Sequence, residues 1–517
     1  MSHIFLYGAP GSGKTTIGKA LAKSLDLPFS DLDDEIVTGA GRTIAEIMSD
    51  RGEEAFRELE TSALEVITSL ETRVIALGGG ALLRDKNRKC AESVGKVIFL
   101  QTDPAVLLER LNPENGIRPL LAGDKVEKLK SLLERRRSHY DSFKLRIANE
   151  SSHPDETVRK IQLLLGRFHL PRRSGGYDIL IEREGLNIGG EKLEERHLTG
   201  PMAIVTDSHV GPLYAESLLG SLKRKNIRAA VITIPAGEKN KTLRTVSNLW
   251  KGFLQSGLDR KSTVIALGGG VTGDLTGFAA SAFMRGMAWA VIPTSLLAMV
   301  DSSMGGKTGF DLPYGKNLVG SFHSPKLVLT DPNLLSTLPA VEFRSGLAEV
   351  VKHGVISDPI LFTLCSHGER HIRDNLDEII TRAIAVKVGY ISEDPFENGS
   401  RAVLNYGHTV GHAIELVSGF RLRHGEAVAI GMVVEAKAAE KISLAPRGLS
   451  NQIANTLAGL GLPIKIPQEM ASEKILEAIK VDKKKRDGRI RFALPMMIGK
   501  VRTGVEIDNF KTILEEE

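Results

Sequence analysis

Cysteine is scarce: Cys90 and Cys365 are the only two in 517 residues. One lies in the first of the segments that hydropathy patterning defines and the other in the last. That excludes a disulfide framework and fits a reducing compartment. Charge of one sign is lacking too. Lys and Arg number 68 against 63 Asp and Glu, a formal balance of +5, too small at this length to demand nucleic acid as a partner. No apolar run approaches the roughly 20 residues of a membrane-spanning helix. The opening His3-Ile-Phe-Leu-Tyr7 runs straight into a glycine-rich loop, without the basic stretch or cleavage site of a signal peptide. These absences point to a soluble, cytoplasmic protein with neither membrane nor nucleic-acid partners. Glycine, at 52 residues, is the one mild excess, and it suits loops that let backbone approach a ligand closely.

A chain of this length exceeds what one hydrophobic core accommodates, so two or three domains are expected. Through about residue 165, short apolar runs (His3–Tyr7, Arg73–Leu77, Lys96–Leu100) alternate with longer amphipathic segments such as Thr15–Leu25 and Ala105–Leu111. That alternation predicts a parallel α/β sheet. The stretch 166–176, holding Pro171-Arg-Arg-Ser-Gly-Gly176, reads as a linker. Alternation resumes over 177–334, with strands expected at Met202–Thr206, Ala229–Ile234, Thr263–Leu267 and Trp289–Pro293. From 335 to 517 helical periodicity dominates. The seven residues Val74–Gly80 recur as Val264–Gly270, yet their flanks differ, so both are buried strands entering a glycine turn rather than an internal repeat.

The first segment opens with Gly8-Ala-Pro-Gly-Ser-Gly-Lys14-Thr15, a P-loop pattern between an apolar strand and an amphipathic helix. In that context backbone N–H groups from Gly11, Ser12, Gly13 and Thr16 wrap phosphates at a helix N-terminus. Lys14 reaches the β- and γ-phosphates of ATP and Thr15 ligates Mg²⁺. The motif does not name the phosphoryl acceptor. Asp31-x-Asp33 offers carboxylates at a strand end, while Arg57, Gly78-Gly79-Gly80, Arg118 and Arg136 suit a small carboxylate-bearing polyol, since arginine grips carboxylates with a two-pronged fork. Each arginine taken singly has a plainer reading as a solvated surface residue. As a set, over residues 1–165, they resemble shikimate kinase. The resemblance assigns Asp33, Arg57, Gly79, Gly80 and Arg136 to shikimate and makes Asp33 the group that orients the attacking hydroxyl. Arg118 falls to a lid over ATP.

Four constellations mark the rest of the chain. Gly268-Gly-Gly-Val-Thr-Gly273-Asp274 follows one expected strand, Glu238 and Lys241 follow another, and Thr294-Ser295 a third. Loops converging at strand ends are how open α/β sheets bind nucleotides. Asp301-Ser-Ser-Met-Gly-Gly-Lys307, leading to Lys316-Asn317, reads as an anion-handling glycine loop. His408-x-x-x-His412 places two imidazoles on one helix face, with His424 following and Glu349 and Lys352 upstream. Spacing alone selects His408, His412 and His424 as metal ligands, with Glu349 or Glu426 in the fourth position. The run Asp482-Lys-Lys-Lys-Arg-Asp-Gly488-Arg lacks interleaved aromatics and reads as a solvated turn rather than a nucleic-acid patch.

Residues 177–517 resemble 3-dehydroquinate synthase, with the motifs in order. The resemblance implies a Rossmann-like NAD-binding α/β domain followed by a mostly helical metal-binding domain. It assigns NAD⁺ to Asp207, Glu238, Lys241, Gly269, Gly270, Asp274, Thr294, Ser295, Lys307 and Lys316, and a divalent ion, Zn²⁺ or Co²⁺, to Glu349, His408 and His424. His412 becomes a substrate-side residue, a revision of the spacing argument. Substrate falls to Arg285, Asp301, Lys307, Asn317, Lys352, Lys387, Arg401, Asn405, His412 and one lysine of the 483–484 pair, Lys484 or its neighbour Lys483. Lys352, His412 and Asp301 join Lys14, Arg118 and Asp33 as the catalytic candidates. The implied reaction converts 3-deoxy-arabino-heptulosonate 7-phosphate to 3-dehydroquinate and phosphate with no net turnover of NAD⁺. A homodimer is implied as well. Rival readings are a related cyclase acting on sedoheptulose 7-phosphate, which would not need the cations at Arg285, Lys387 and Arg401, and a front domain that binds nucleotide without catalysis or phosphorylates another small molecule.

Overall fold

The computed structural model describes residues 2–111, 125–151, 153–171, 175–397, 399–483 and 490–515. The chain divides into two compact units, Met1–His169 and Leu170–Glu517.

In the first unit, strands β1 (His3–Tyr7), β2 (Phe29–Asp31), β3 (Val74–Ala76), β4 (Gly95–Gln101) and β5 (Leu145–Ala148) form one sheet in the order β2-β3-β1-β4-β5. All neighbours run parallel. Side chains alternate across a strand, so β1 serves two cores. Ile4 and Leu6 pack with Ile17, Leu21 and Ile161 on one face. Phe5 and Tyr7 pack with Ile36, Leu64 and Phe99 on the other. Burial on both faces explains why the strands read as continuous apolar runs. Chain order reverses beside β1, which puts the loop after β1 at the sheet's ligand-binding crevice.

The following sheet has seven strands, β6 (Arg167–Leu170), at the division between the units, and, in the second unit, β7 (Tyr177–Ile181), β8 (Met202–Asp207), β9 (Ala229–Ile234), β10 (Thr263–Gly268), β11 (Ala288–Pro293) and β14 (Leu327–Thr330), ordered β6-β7-β14-β11-β10-β8-β9. Within the stretch 166–176, Arg167–Leu170 forms strand β6 and is hydrogen-bonded into this sheet. The apolar signal there was too short to register. Between β11 and β14 the chain makes an antiparallel hairpin of β12 (Lys307–Leu312) and β13 (Gly315–Phe322). The segment read as a glycine loop holds that loop at 303–306, with Gly305 and Gly306 at positive φ, between a π-helical turn, Ala298–Ser302, and strand β12. After β9 the chain crosses over β8 to lay down β10 on its other side, so the topological switch lies between β8 and β10, where nucleotides bind in such sheets.

Helices dominate beyond residue 335, as the periodicity indicated, except for a closing hairpin of β15 (Phe492–Met497) and β16 (Lys500–Val505). Three of these helices, Ala340–Ile356, His408–Val417 and His424–Lys441, approach so closely that two glycines are required. A Cβ on Gly425 would lie 1.9 Å from the Ser345 carbonyl oxygen, and one on Gly431 would lie 2.1 Å from that of Gly407. Glutamate completes the packing. Glu435, fully buried, accepts from the N–H groups of Gly407 (2.7 Å) and Val410 (3.1 Å), capping the helix that carries His408. Among the described residues no helix is long and apolar enough to cross a membrane.

Candidate active sites

In the first unit Gly11 and Gly13 both take φ 81, a left-handed conformation open to glycine, and Gly13 starts the helix Lys14–Leu25. The resulting loop presents a helix N-terminus to an anion. Lys14 Nζ donates to the carbonyls of Gly8 and Ala9, each at 3.0 Å. Thr15 Oγ1 donates to Asp31 Oδ2 at 2.6 Å. Asp31 also caps the next helix through Asp33 N–H, which turns the two carboxylates to different tasks. Asp33 and Glu60 both face Gly78, and Gly80 lies against the Arg57 guanidinium. Arg57 pairs with Glu60 at 2.6 Å and with Glu53 at 2.9 Å. Arg136 Nη1 (2.7 Å) and Tyr140 OH (2.9 Å) both donate to the Gly79 carbonyl. Asp33, Arg57, Gly79, Gly80 and Arg136 thus converge. Ser12 is buried and Thr16 is exposed on the first helical turn. Arg118 lies outside the described residues.

Glu60 escaped sequence reasoning. It is 1% exposed, and burial outweighs the attraction of Arg57 to raise its pKa above the usual carboxylate range. Its signal was present as the i, i+3 spacing from Arg57.

In the second unit the nucleotide candidates gather at the switch between β8 and β10. Asp207 Oδ1 accepts from His209 and Val210 N–H, and its Oδ2 accepts from Thr272 Oγ1 at 3.3 Å across the switch. Gly269 caps the helix Gly270–Ala282, Ser295 approaches Gly269, and Thr294 N–H donates to Gly268. Lys241, 4% exposed, bridges Asp274 Oδ2 at 2.7 Å and Asn317 Oδ1 at 2.6 Å. Burial disfavours its charge, but Asp274 more than compensates and raises its pKa. Glu238 lies 3.5 Å from Lys316. A small cavity is lined by Gly269, Gly270, Asp274, Ser302 and Lys307.

The helical half adds Lys387 and Arg401 to the cations. Lys387 donates to the Asp301 carbonyl at 2.7 Å and pairs with the Asp301 carboxylate. Burial would raise the Asp301 pKa, but the ammonium holds it below the ordinary range. Lys307 pairs with Glu397, which also accepts from Asn405 at 3.5 Å. Buried Arg401 donates to the Pro395 carbonyl and reaches Gly305. Arg285 is exposed on a left-handed turn (φ 68) with no hydrogen bond or ion pair to these groups among the described residues. Lys484 and the side chain of Lys483 lie outside the description.

Glu349 is fully buried and pairs with Lys352 one helical turn on. Its Oε1 lies 3.4 Å from His408 Nε2 and 3.5 Å from His424 Nε2. Four ligands held at about 2.0–2.1 Å in a tetrahedron lie about 3.3–3.4 Å apart, so both separations from Glu349 suit a zinc-like ion. The ligand atoms of Glu349, His408 and His424 all fall within 4.8 Å of one another. His412 does not join them. Its exposed ring sits 5.1 Å from that of His408 and 5.9 Å from that of His424, between the ligand set and solvent. This corrects the spacing argument, and Glu426 drops out as well because it caps its own helix through Arg423 N–H at 2.8 Å. Another buried carboxylate, Glu415, went unnoticed in the sequence. It meets His424 Nδ1 at 3.4 Å and Lys316 Nζ at 2.7 Å. Burial would raise its pKa, but those two partners hold it at about 2.

Three family models match the chain: shikimate kinase over residues 10–165, 3-dehydroquinate synthase N-terminal over 231–345, and 3-dehydroquinate synthase C-terminal over 346–485. The 3-dehydroquinate synthase of Crocosphaera subtropica is 42% identical over 359 residues, covering 67% of this chain and 97% of the relative. The chain belongs to the 3-dehydroquinate synthase family. A shikimate kinase domain is fused ahead of the synthase part, and both correspond to catalytic families. The synthase of Thermodesulfovibrio yellowstonii is likewise 42% identical, over 99% of its length and 68% of this chain. Among solved structures, a 2-epi-5-epi-valiolone synthase from Streptomyces hygroscopicus with NAD⁺ and Zn²⁺ bound is similar to the synthase part. Its TM-score is 0.61 at 28% identity, covering 66% of this chain and 95% of that one. A 2-deoxy-scyllo-inosose synthase complexed with carbaglucose-6-phosphate, NAD⁺ and Co²⁺ gives 0.59 at 28% identity, covering 68% of this chain and 98% of that one.

Proposed function

We propose that the synthase part converts 3-deoxy-arabino-heptulosonate 7-phosphate to 3-dehydroquinate and phosphate, using NAD⁺ and a divalent ion, Zn²⁺ or Co²⁺. The kinase part transfers phosphate from ATP with Mg²⁺ to the 3-hydroxyl of shikimate. The observation that carries the synthase reading is the meeting of Glu349, His408 and His424 beside Lys352, within the unit that bears the nucleotide loops. When bound, NAD⁺ supplies reversible hydride uptake and the ion supplies Lewis-acid polarisation of substrate oxygens.

The protein's own groups do the rest. Lys352, Lys387 and Arg401 hold the substrate's carboxylate and phosphate in one geometry through successive steps, with Lys307 and Asn317 on the hairpin and Asn405 opposite. Asp301 holds a hydroxyl, its charge kept by Lys387. His412, exposed beside the ligand set, is placed to pass a proton to solvent or phosphate. Arg285 joins Lys387 and Arg401 as a cation for the substrate's carboxylate. In the kinase, Asp33 orients the acceptor hydroxyl and takes its proton, Arg57 and Arg136 grip the carboxylate, and Lys14 and Arg118 neutralise the transferring phosphoryl group. The protein is assigned to the cytoplasm, as a homodimer through the synthase part.

The relatives with 42% identity along nearly their whole length are 3-dehydroquinate synthases, which supports this substrate over sedoheptulose 7-phosphate. The test is to incubate purified protein with heptulosonate 7-phosphate, NAD⁺ and zinc, following phosphate and dehydroquinate with and without a chelator. Dehydroquinate formed only with NAD⁺ and metal supports the reading. Phosphate release from sedoheptulose 7-phosphate alone would replace the substrate.

A further inference from the structure

The helix His408–Val417 carries His408, His412 and Glu415 at i, i+4 and i+7, so all three share one face. The metal candidates account for the first residue and the substrate side for the second. Glu415 is 7% exposed, and burying a carboxylate there is costly unless its oxygens are satisfied. Both are. Oε2 meets His424 Nδ1 at 3.4 Å and Oε1 accepts from Lys316 Nζ at 2.7 Å. Lys316 belongs to β13, lies over the Phe420 ring at 4.4 Å and reaches Glu238 at 3.5 Å. The next residue, Asn317, bonds in the other direction, to Lys241 at 2.6 Å. Its φ of 53 belongs to the left-handed region that asparagine tolerates better than most residues.

We propose that Glu415 is a positioning residue shared by the metal site and the nucleotide-side hairpin. One carboxylate oxygen accepts a hydrogen bond from Nδ1–H of His424, which fixes the tautomer that leaves Nε2 free to ligate. The other oxygen anchors Lys316 and with it the hairpin that reaches the nucleotide loops. Carboxylates behind ligating histidines orient the ring and raise its basicity, and losing one typically costs 10–100-fold in metal affinity. The link to Lys316 makes the same side chain a determinant of NAD⁺ affinity. The inference rests on the metal and NAD⁺ assignments above.

The experiment uses the full chain as wild type, Glu415→Gln and His424→Ala. Zinc affinity is measured by competition with a chromophoric chelator, ligand geometry by the visible spectrum of the Co²⁺-loaded protein, and NAD⁺ affinity by isothermal titration. Thermal unfolding of the metal-free forms controls for damage to the fold. The expected result for Glu415→Gln is zinc binding weakened about 10–100-fold, an altered cobalt spectrum, weakened NAD⁺ binding and an unchanged metal-free midpoint. Zinc affinity within threefold of wild type, with weakening in His424→Ala, would overturn the inference and leave the metal site standing. Tight zinc binding by His424→Ala would instead overturn the metal assignment itself. Loss of zinc affinity with an unchanged cobalt spectrum and a lowered midpoint would reduce Glu415 to a structural carboxylate. NAD⁺ affinity unchanged in Glu415→Gln would sever the hairpin half of the proposal.

Discussion

Lys241 shows what a single buried charge implies. Its ammonium is almost wholly enclosed and is held by Asp274 and Asn317. Lys241→Ala removes two hydrogen bonds and leaves Asp274 without its cation, a loss expected to cost about 1.5–3 kcal/mol. Urea denaturation should show that loss, and NAD⁺ titration should show weaker binding; a variant as stable as wild type would contradict this reading of the network. The thiols make a second contrast. Burial pushes Cys365 up to about 12, while Cys90 is half-buried. Folded protein therefore keeps the Cys365 proton well past the ~8.5 at which an unfolded thiol ionises. This stabilising contribution is complete below that pH and is lost as the pH climbs toward 12. At pH 9 iodoacetamide should modify Cys90 alone in native protein and both thiols after denaturation. Equal native rates would show that the helical core around Cys365 opens readily.

Elements obey packing before propensity. Gly431 and Gly389 both lie within regular helices, His424–Lys441 and Leu376–Glu393, where alanine is intrinsically favoured by about 1 kcal/mol. Gly389 has no atom within 4 Å of a prospective Cβ, so Gly389→Ala should raise stability by about 0.4–1 kcal/mol. At Gly431 the Cβ would meet the Gly407 carbonyl oxygen. Gly431→Ala should therefore destabilise by about 1–3 kcal/mol and lower zinc affinity, because the displaced backbone carries His408. Equilibrium unfolding of the two variants gives opposite signs if close helix packing builds the ligand set, and the same sign if it does not. Glu435 acts at the same scale. Its two hydrogen bonds fix the start of the helix that presents His408 and His412.

Two sets of catalytic candidates lie in separate compact units, and substitutions that share no partners act independently. In the intact protein Asp33→Asn should cut shikimate phosphorylation by about 10²–10⁴-fold, the usual worth of a positioned base, with phosphate release from heptulosonate 7-phosphate unchanged. Glu349→Gln should do the reverse. Parallel assays of both variants check this, and loss of both activities in either one would mean that the units depend on each other.

Much of this protein was legible in one dimension. Strands β1, β8, β10 and β11 stand where short apolar runs placed them, because burial on both faces of a parallel sheet writes itself into local sequence, and the edge strand β9 also stands where its run placed it. The P-loop was equally plain, since glycine, lysine and threonine act there within a single turn. Strand β6 and the hairpin of β12 and β13 escaped, being short or glycine-rich and shaped by partners far along the chain. Local spacing chose His412 as a ligand and passed over Glu415, although both lie on the face that carries His408. Which imidazole meets Glu349 depends on how three helices cross, and that crossing is set by contacts at Gly425 and Gly431. Periodicity determines which face a residue occupies; only the packing of that face against distant backbone decides what it touches.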